Sequence, residues 1–529
     1  ENHLNFATTL SNLARLYYKT GKYTAAEPLY LKILEIRRQN LGEDHSEYAE
    51  ALNNLALIYE KMGNHAAAEL PYKQVLKILQ KTVGENHASY ASALNNLAML
   101  YYTMGYYIKA LPLCQKAMEI TRAALGENNS IFIGILNNLA ALNHKMGNYR
   151  AALPLYQQIL VIQHQSQENQ LEFAACLINL AALYQDMGNY KAAQPLLQQA
   201  IEIQQRVLGK NHHNLADSLN NLAALHFAQM NLAAAKPLLQ QALEIRRTLG
   251  ENYPEYAQSL YNLAHLYHRM GNYTEAESLL CQAISVWRTA LGEEHADFAS
   301  GLNNLAGLYL TMGNYTAAEP LYQQVVKIRR KVLGENHPDF ADSLGTLAWL
   351  YAAMNRESEA LTLLERSSTI YNQLIGQVFS IGSESQRTAY LQKLRAQIDA
   401  FLSLVFQHRF DDPTAVQAAL DLVLRRKGIG AEALATQRDA VLGDRYPELK
   451  SRLQKLTALR MQIAQKTLAG PGAEGISAHQ QVLAKWNSQK EEQEALLAQE
   501  IPEMNLEQQL QATNCRAVAL ALPEGSTLI

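Results

Sequence analysis

Residues 52–59 read Leu52-Asn53-Asn54-Leu55-Ala56-Leu57-Ile58-Tyr59, and the phrase returns along the chain. Its Leu-Ala pair starts at Leu13, Leu55, Leu97, Leu139, Leu180, Leu222, Leu263, Leu305 and Leu347, a spacing of 42 residues that twice shortens to 41. Both shortenings fall in turns. One drops the Gly expected between Met230 and Asn231, the other trims the loop near Gln167. Stacked helix pairs tolerate indels there, because a turn can lose a residue without rotating a helix face.

Each unit reads as two helices. Leu52, Leu55, Ala56 and Tyr59 fall at i, i+3, i+4 and i+7, one apolar stripe on a helix. Met62-Gly63-Asn64 ends it, with Gly supplying the left-handed position after the last turn. A second helix runs through Ala68, Tyr72, Val75, Leu76 and Leu79, and a Gly84–His87 loop closes the unit. Its early proline (Pro28, Pro112, Pro154, Pro195, Pro237, Pro320) is expected within about the first turn, where N–H groups lack partners. Ala56, Ala98 and Ala140 at the helix crossing allow close backbone approach.

Composition narrows the function. Of 529 residues, 48% are apolar and 18% charged, enough to bury a large core. The 46 Lys and Arg balance 49 Asp and Glu, so no nucleic-acid partner and no anionic membrane is expected through bulk charge. No apolar run approaches the ~18 residues of a spanning helix. Cys114, Cys176, Cys281 and Cys515 form no CxxC pair, which reads as a reduced, cytoplasmic protein. The sequence opens on Glu-Asn-His rather than Met, with no signal peptide. His3, His45, His87, His212, His295 and His337 recur one unit apart, too distant for zinc ligands, and are expected to serve as loop or N-cap residues. No metal and no cofactor is expected, since neither HExxH nor a phosphate loop is present.

The pattern Leu-Ala-x-x-Tyr, Gly-Asn-Tyr, Ala, then Tyr or Leu resembles the tetratricopeptide repeat (TPR) in its long form, similar to the repeats of kinesin light chains. The resemblance implies an all-α, right-handed superhelical solenoid of about nine helix pairs over residues 1–371. In the last unit Gly345-Thr346 replaces Asn-Asn and Met354-Asn355-Arg356 replaces the Gly turn, as a capping unit would.

The first helices of such an array line a concave groove for a protein or peptide partner. Opposite the core stripe stands a recurring amide: Asn12, Asn54, Asn96, Asn138, Asn179, Asn221, Asn262 and Asn304. An amide donates and accepts at once, so a row of them can pair with an extended peptide, as the kinesin-light-chain resemblance implies. Equally, each Asn can bond the neighbouring repeat and set the stacking. Three residues later the identity varies (Arg15, Leu57, Met99, Ala141, Ala182, Ala224, His265, Gly307), and seven later it varies again (Lys19, Lys61, Thr103, Lys145, Asp186, Ala228, Arg269, Thr311). Recognition demands such variation, and unselected solvent-exposed positions show it too.

After Tyr371 the period stops. A helical connector with a helical hairpin is expected over 372–500, broken at Ala469-Gly470-Pro471-Gly472. Over 501–529 the text from Arg516 to Ile529 turns strand-like. The order Gln386-Arg387, Tyr390-Leu391, Val423–Gly428, Gln437-Arg438, hairpin, Leu522-Pro523 resembles the region entering a CHAT (caspase-like) domain. That resemblance implies the first strand of a truncated α/β domain continuing beyond Ile529. Cys515 and His479 are not read as a catalytic dyad, so no catalytic residue is expected in these 529 residues. The expected function is a bacterial scaffold that binds a protein or peptide and regulates a downstream protease domain through intramolecular contact. A cargo-type adaptor without enzyme activity and the sensor arm of a P-loop switch protein are the alternatives.

Overall fold

A computed structural model describes residues 4–20, 22–166, 170–381, 383–426, 446–471, 475–501 and 514–516. The chain divides into two compact units, Glu1–His144 with Tyr149–Ser343, and Lys145–Asn148 with Leu344–Ile529. Every element among the described residues is helical. The expected strand lies outside them except for Arg516, which sits in a helical turn.

In the first unit α1 (Leu4–Lys19) pairs with α2 (Tyr23–Leu41), α3 (Ser46–Lys61) with α4 (His65–Thr82), and α5 (Ala88–Thr103) with α6 (Tyr107–Leu125). The series continues pair by pair through α13 (Pro254–Arg269), α14 (Tyr273–Leu291), α15 (Ala296–Thr311) and α16 (Tyr315–Leu333). Gly63 and Gly105 take φ of +73° and +74° in the turn after the first helix. Where the repeat lacks that glycine, Met230 and Asn355 stand in its place in the same left-handed conformation at φ 60° and 58°. No residue is therefore missing between Met230 and Asn231, and the shortening expected there falls instead at the end of the second helix, Leu232–Leu249, which has 18 residues where Tyr190–Leu208 has 19. The histidines cap the next helix. Nδ1 of His45, His87, His212, His295 and His337 accepts the backbone N–H two residues on, at 3.0–3.2 Å. His3 lies outside the described residues.

One expectation fails locally. Pro28 is the sixth residue of α2 and Pro320 the sixth of α16, in the second turn rather than the first. The helices begin earlier than the proline suggests, and each proline there removes one backbone hydrogen bond.

In the second unit α18 (Glu357–Ile381) is followed by α19 (Glu384–Lys393), α20 (Arg395–His408) and a helix at 413–426. Asp412 caps the last by accepting the Thr414 N–H at 2.9 Å, and the Thr414 and Arg409 hydrogen bonds hold its carboxyl well below the usual range. Further on, helices Lys450–Ala469 and Gly475–Glu500 pack antiparallel, joined by Arg452–Glu500 at 2.8 Å and Arg460–Glu494 at 2.7 Å. The two form a helical hairpin.

Packing between repeats varies most at one site. The position of Ile36 is filled by Ile78, Ile120, Ile162, Ile203, Ile245 and Ile328, all buried, and by Val286 in the seventh repeat, while the position after it, held by Arg37, Leu79, Thr121, Gln163, Gln204, Arg246 and Arg329, is Trp287 there. The next first helix usually offers a small or medium residue opposite (Ala51, Ala93, Ile135, Cys176, Ser218, Ser259), and here it offers Gly301. A Cβ on Gly301 would lie 2.8 Å from Ile284 Cγ1 and 3.1 Å from the Trp287 ring. The glycine makes room for the indole, whose Nε1–H donates to the Pro254 carbonyl at 3.2 Å. Gly301→Ala is therefore expected to destabilise the first unit by about 1–3 kcal/mol through overpacking. Gly134, also mid-helix but with nothing within 4 Å of an added Cβ, should gain about 0.5–1 kcal/mol as Ala. Urea titrations of both variants check the opposite signs.

Candidate partner-binding site

The recurring amide bonds from repeat to repeat. Asn96 Nδ2–H donates to Asn53 Oδ1 at 2.9 Å, Asn138 to Asn95 at 3.1 Å, and Asn179 to Asn137 at 2.9 Å. The second Asn of each doublet thus reaches back to the first Asn of the preceding repeat. Where Tyr261 replaces that first Asn, its hydroxyl bonds Asn304 instead. Where Ile178 replaces it, no acceptor exists, and Asn221 stands exposed one repeat later. Asn262 instead accepts from Gln258 Nε2 at 3.1 Å, and Asn12 from Arg15 at 3.4 Å. Asn54 is half-buried. The helical-wheel argument singles out the second Asn of the doublet and misses the first, although the recurrence of both is the signal.

A second bond between repeats runs parallel to this ladder. Tyr101 Oη donates to Glu69 at 2.8 Å and Tyr309 to Glu277 at 2.7 Å, and Tyr59 bonds Glu27 in the same way. Burial pushes the Tyr59 and Tyr101 phenols up first, with the carboxylate beside each adding to it. The phenol therefore stays protonated and donates in one fixed direction.

The variable positions stay at the surface. Arg15, Lys19, Lys61 and Lys145 are exposed, and Met99 is half-buried. Two variable positions meet a ring of the preceding repeat: the His265 imidazole stacks on Phe227 with centroids 4.7 Å apart, and the Arg269 guanidinium lies 5.6 Å from the same ring. Arg269 also reaches the Met230 sulfur at 3.6 Å, so an aromatic ring, a cation and an exposed thioether share one patch. Burial of the ring, then His268 and Arg269, hold the His265 imidazole below its usual pKa. Among the described residues no group of His, Cys, Asp and Glu is arranged to hold a metal ion. No helix among them is long and apolar enough to cross a membrane.

The amide ladder makes a testable energetic claim. In a double-mutant cycle of Asn53→Ala and Asn96→Ala, the coupling between the half-buried pair should be about 0.5–1.5 kcal/mol. The same cycle on Ile178 and Asn221 should give none, as read from urea unfolding of the full chain.

Comparison with known proteins bears on the repeat itself. The kinesin-light-chain TPR-like repeats of a Podosopora anserina protein are 31% identical over 38% of this chain and 96% of that one, with a TM-score of 0.34. BtubC from P. vanneervenii is 22% identical over 44% and 91%, at a TM-score of 0.36. A Rap protein complexed with competence and sporulation factor is 16% identical over 70% and 99%, at 0.48. A search of the curated proteins finds no match. The tetratricopeptide repeat pattern matches residues 5–81, 89–164, 172–248, 216–289 and 297–373, more than half of the chain. By those matches, and by helix pairs that recur at the same spacing, the chain belongs to the tetratricopeptide repeat family.

Proposed function

We propose that the chain is a scaffold that holds a protein or peptide partner along the faces of its first helices. The observation that carries this reading is the contrast between constant and changing positions on one helix. The amide ladder and the alanine crossings repeat because they stack the units, while Arg15, Met99, His265 and Arg269 differ from repeat to repeat and reach the surface. Each ladder amide that gives one N–H to its neighbour still has a second N–H to offer an extended backbone. The Rap protein named above is complexed with competence and sporulation factor, which is a property of that protein.

The order of motifs after residue 371 supports a further part of the proposal, that the scaffold regulates a caspase-like CHAT domain in the same polypeptide. Its support is sequence resemblance alone. A His and a Cys on successive strand ends downstream in the parent reading frame would favour it, and their absence there would end it. The partner-binding reading is tested separately. Arg15→Ala, His265→Ala and Arg269→Ala combined should cut capture of the native partner from the parent cell's lysate by about tenfold or more, the loss expected of interface anchors. Alanines at Lys77 and Lys327, both exposed on second helices, should leave it unchanged. Equal capture by both variants would sink the groove assignment.

A further inference from the structure

The first unit touches itself across a long stretch of sequence. His337 Nε2 lies 3.1 Å from the Thr103 carbonyl, although the two residues are 234 apart. One repeat earlier the same bond recurs, from the His295 ring to the Lys61 carbonyl. The turn glycines follow suit. A Cβ on Gly63 would sit 3.6 Å from the His295 ring and Val332, and one on Gly105 would sit 2.9 Å from Pro338 Cδ and 3.4 Å from His337. Tyr23 feels the Glu255 carboxylate at a matching separation. The contact is thus periodic: the turn of one repeat rests against the capping loop six repeats later.

Each seam histidine works in two directions. Nδ1 accepts a capping N–H, from Asp297 at 3.2 Å or Asp339 at 3.0 Å. That fixes the proton on Nε2, which donates across the seam to a helix-terminal carbonyl. Between the two lies His65, 7% exposed, whose Nδ1 is buried with no hydrogen-bond partner. For His295 and His337 only the neutral ring makes both bonds, and the buried His65 beside them would add its charge to theirs if protonated.

We propose that this seam is a neutral-histidine latch, in which His295 and His337, with His65 buried between them, hold the turns of repeats two and three against the loops that cap the first helices of repeats eight and nine, and release them on acidification. The proposal does not depend on what the groove binds. The charged groups around the latch do not offset its protonation. Asp297 favours a charged His295, at 3.6 Å from Nδ1, but its own backbone N–H then loses its acceptor. Lys61 opposes that charge, and Glu294 is already paired with Lys331. Glu293 and Tyr23 line the adjoining cavity of about 340 Å³, and Asp339 follows His337. Burial first, then His337 and His295, depress His65 to about 4, and burial also lowers His295. A group with a lowered pKa in the closed state stabilises closure fully above its free value of about 6.5 and loses that contribution as pH falls toward the closed value.

The other repeats supply matched controls. His87 makes the same cap on an exposed loop, and Asn129 makes it without an imidazole, accepting the Ile131 N–H at 2.9 Å. The test is hydrogen exchange of the full chain, corrected for intrinsic rates, from about pH 7.5 to about pH 5. Exchange in the peptides around Gly63–Ala67 and His337–Ala341 should rise by about tenfold or more, beyond any rise around His87–Ala91. His295→Asn with His337→Asn keeps both caps but should open the seam already at neutral pH, whereas His87→Asn should not. Gly105→Ala should open it as well, while Gly188→Ala, with a similar φ of +75° and nothing within 4 Å, should leave it closed. Equal acid response of seam and His87 loops, or a double Asn variant indistinguishable from His87→Asn, overturns the latch.

Discussion

Everything in the repeat array hangs on how closely two helices of one repeat can approach. Each repeat places one alanine on its first helix and one on its second, twelve residues apart: Ala56 with Ala68, Ala98 with Ala110, Ala140 with Ala152, Ala264 with Ala276, all at 0% exposure. A larger side chain at either site would wedge the pair apart, and because every repeat stacks on the last, the error would be inherited by all later ones. That single steric requirement explains why these positions stay alanine while exposed neighbours on the same helices change.

With the spacing set, polar bonds choose the register between repeats. The Asn–Asn and Tyr–Glu pairs both run from a first helix to the repeat before it, one from each flank of the stripe, so sliding or rotation of a repeat breaks both. Arginines add a third tie. Arg246, buried, donates to the Glu255 carbonyl at 2.7 Å and to Ser259 at 3.2 Å, and also pairs with Asp217. Arg329 makes the corresponding bond to the Asp339 carbonyl at 3.0 Å. These are charge-assisted contacts to carbonyls in the first turn of the next repeat, each of which has a second lone pair to accept them.

Much of this was legible in residue spacing. Period, turn positions and the left-handed glycine follow from local sequence, because a helix face and a positive φ are decided within a few residues. The capping role of the histidines was readable for the same reason. The ladder was half-readable: the second Asn of each doublet stood out, but its acceptor is a residue of the previous repeat, which periodicity counts as identical rather than as a partner. The seam was not readable at all. Lys61 and Thr103 looked like free variable positions, yet their carbonyls accept bonds from six repeats away, and that depends on the accumulated rotation of the stack, which no local pattern encodes. The prolines were misplaced because helix starts are set by the Asn cap, as at Asn64 and Asn314, and not by the proline.

Nearly identical repeats are prone to unequal exchange at the level of the gene, which inserts or deletes whole units without shifting frame. Most crossovers in this array would join an Arg, Leu, Thr or Gln to a small or medium residue of the next repeat. A breakpoint between Trp287 and Gly301 is different. It would press the indole against a helix carrying Ala, Ser, Cys or Ile at the glycine site, or leave the glycine opposite an Arg, Leu, Thr or Gln that does not fill the space of an indole. The seventh and eighth repeats are therefore inherited as a linked pair.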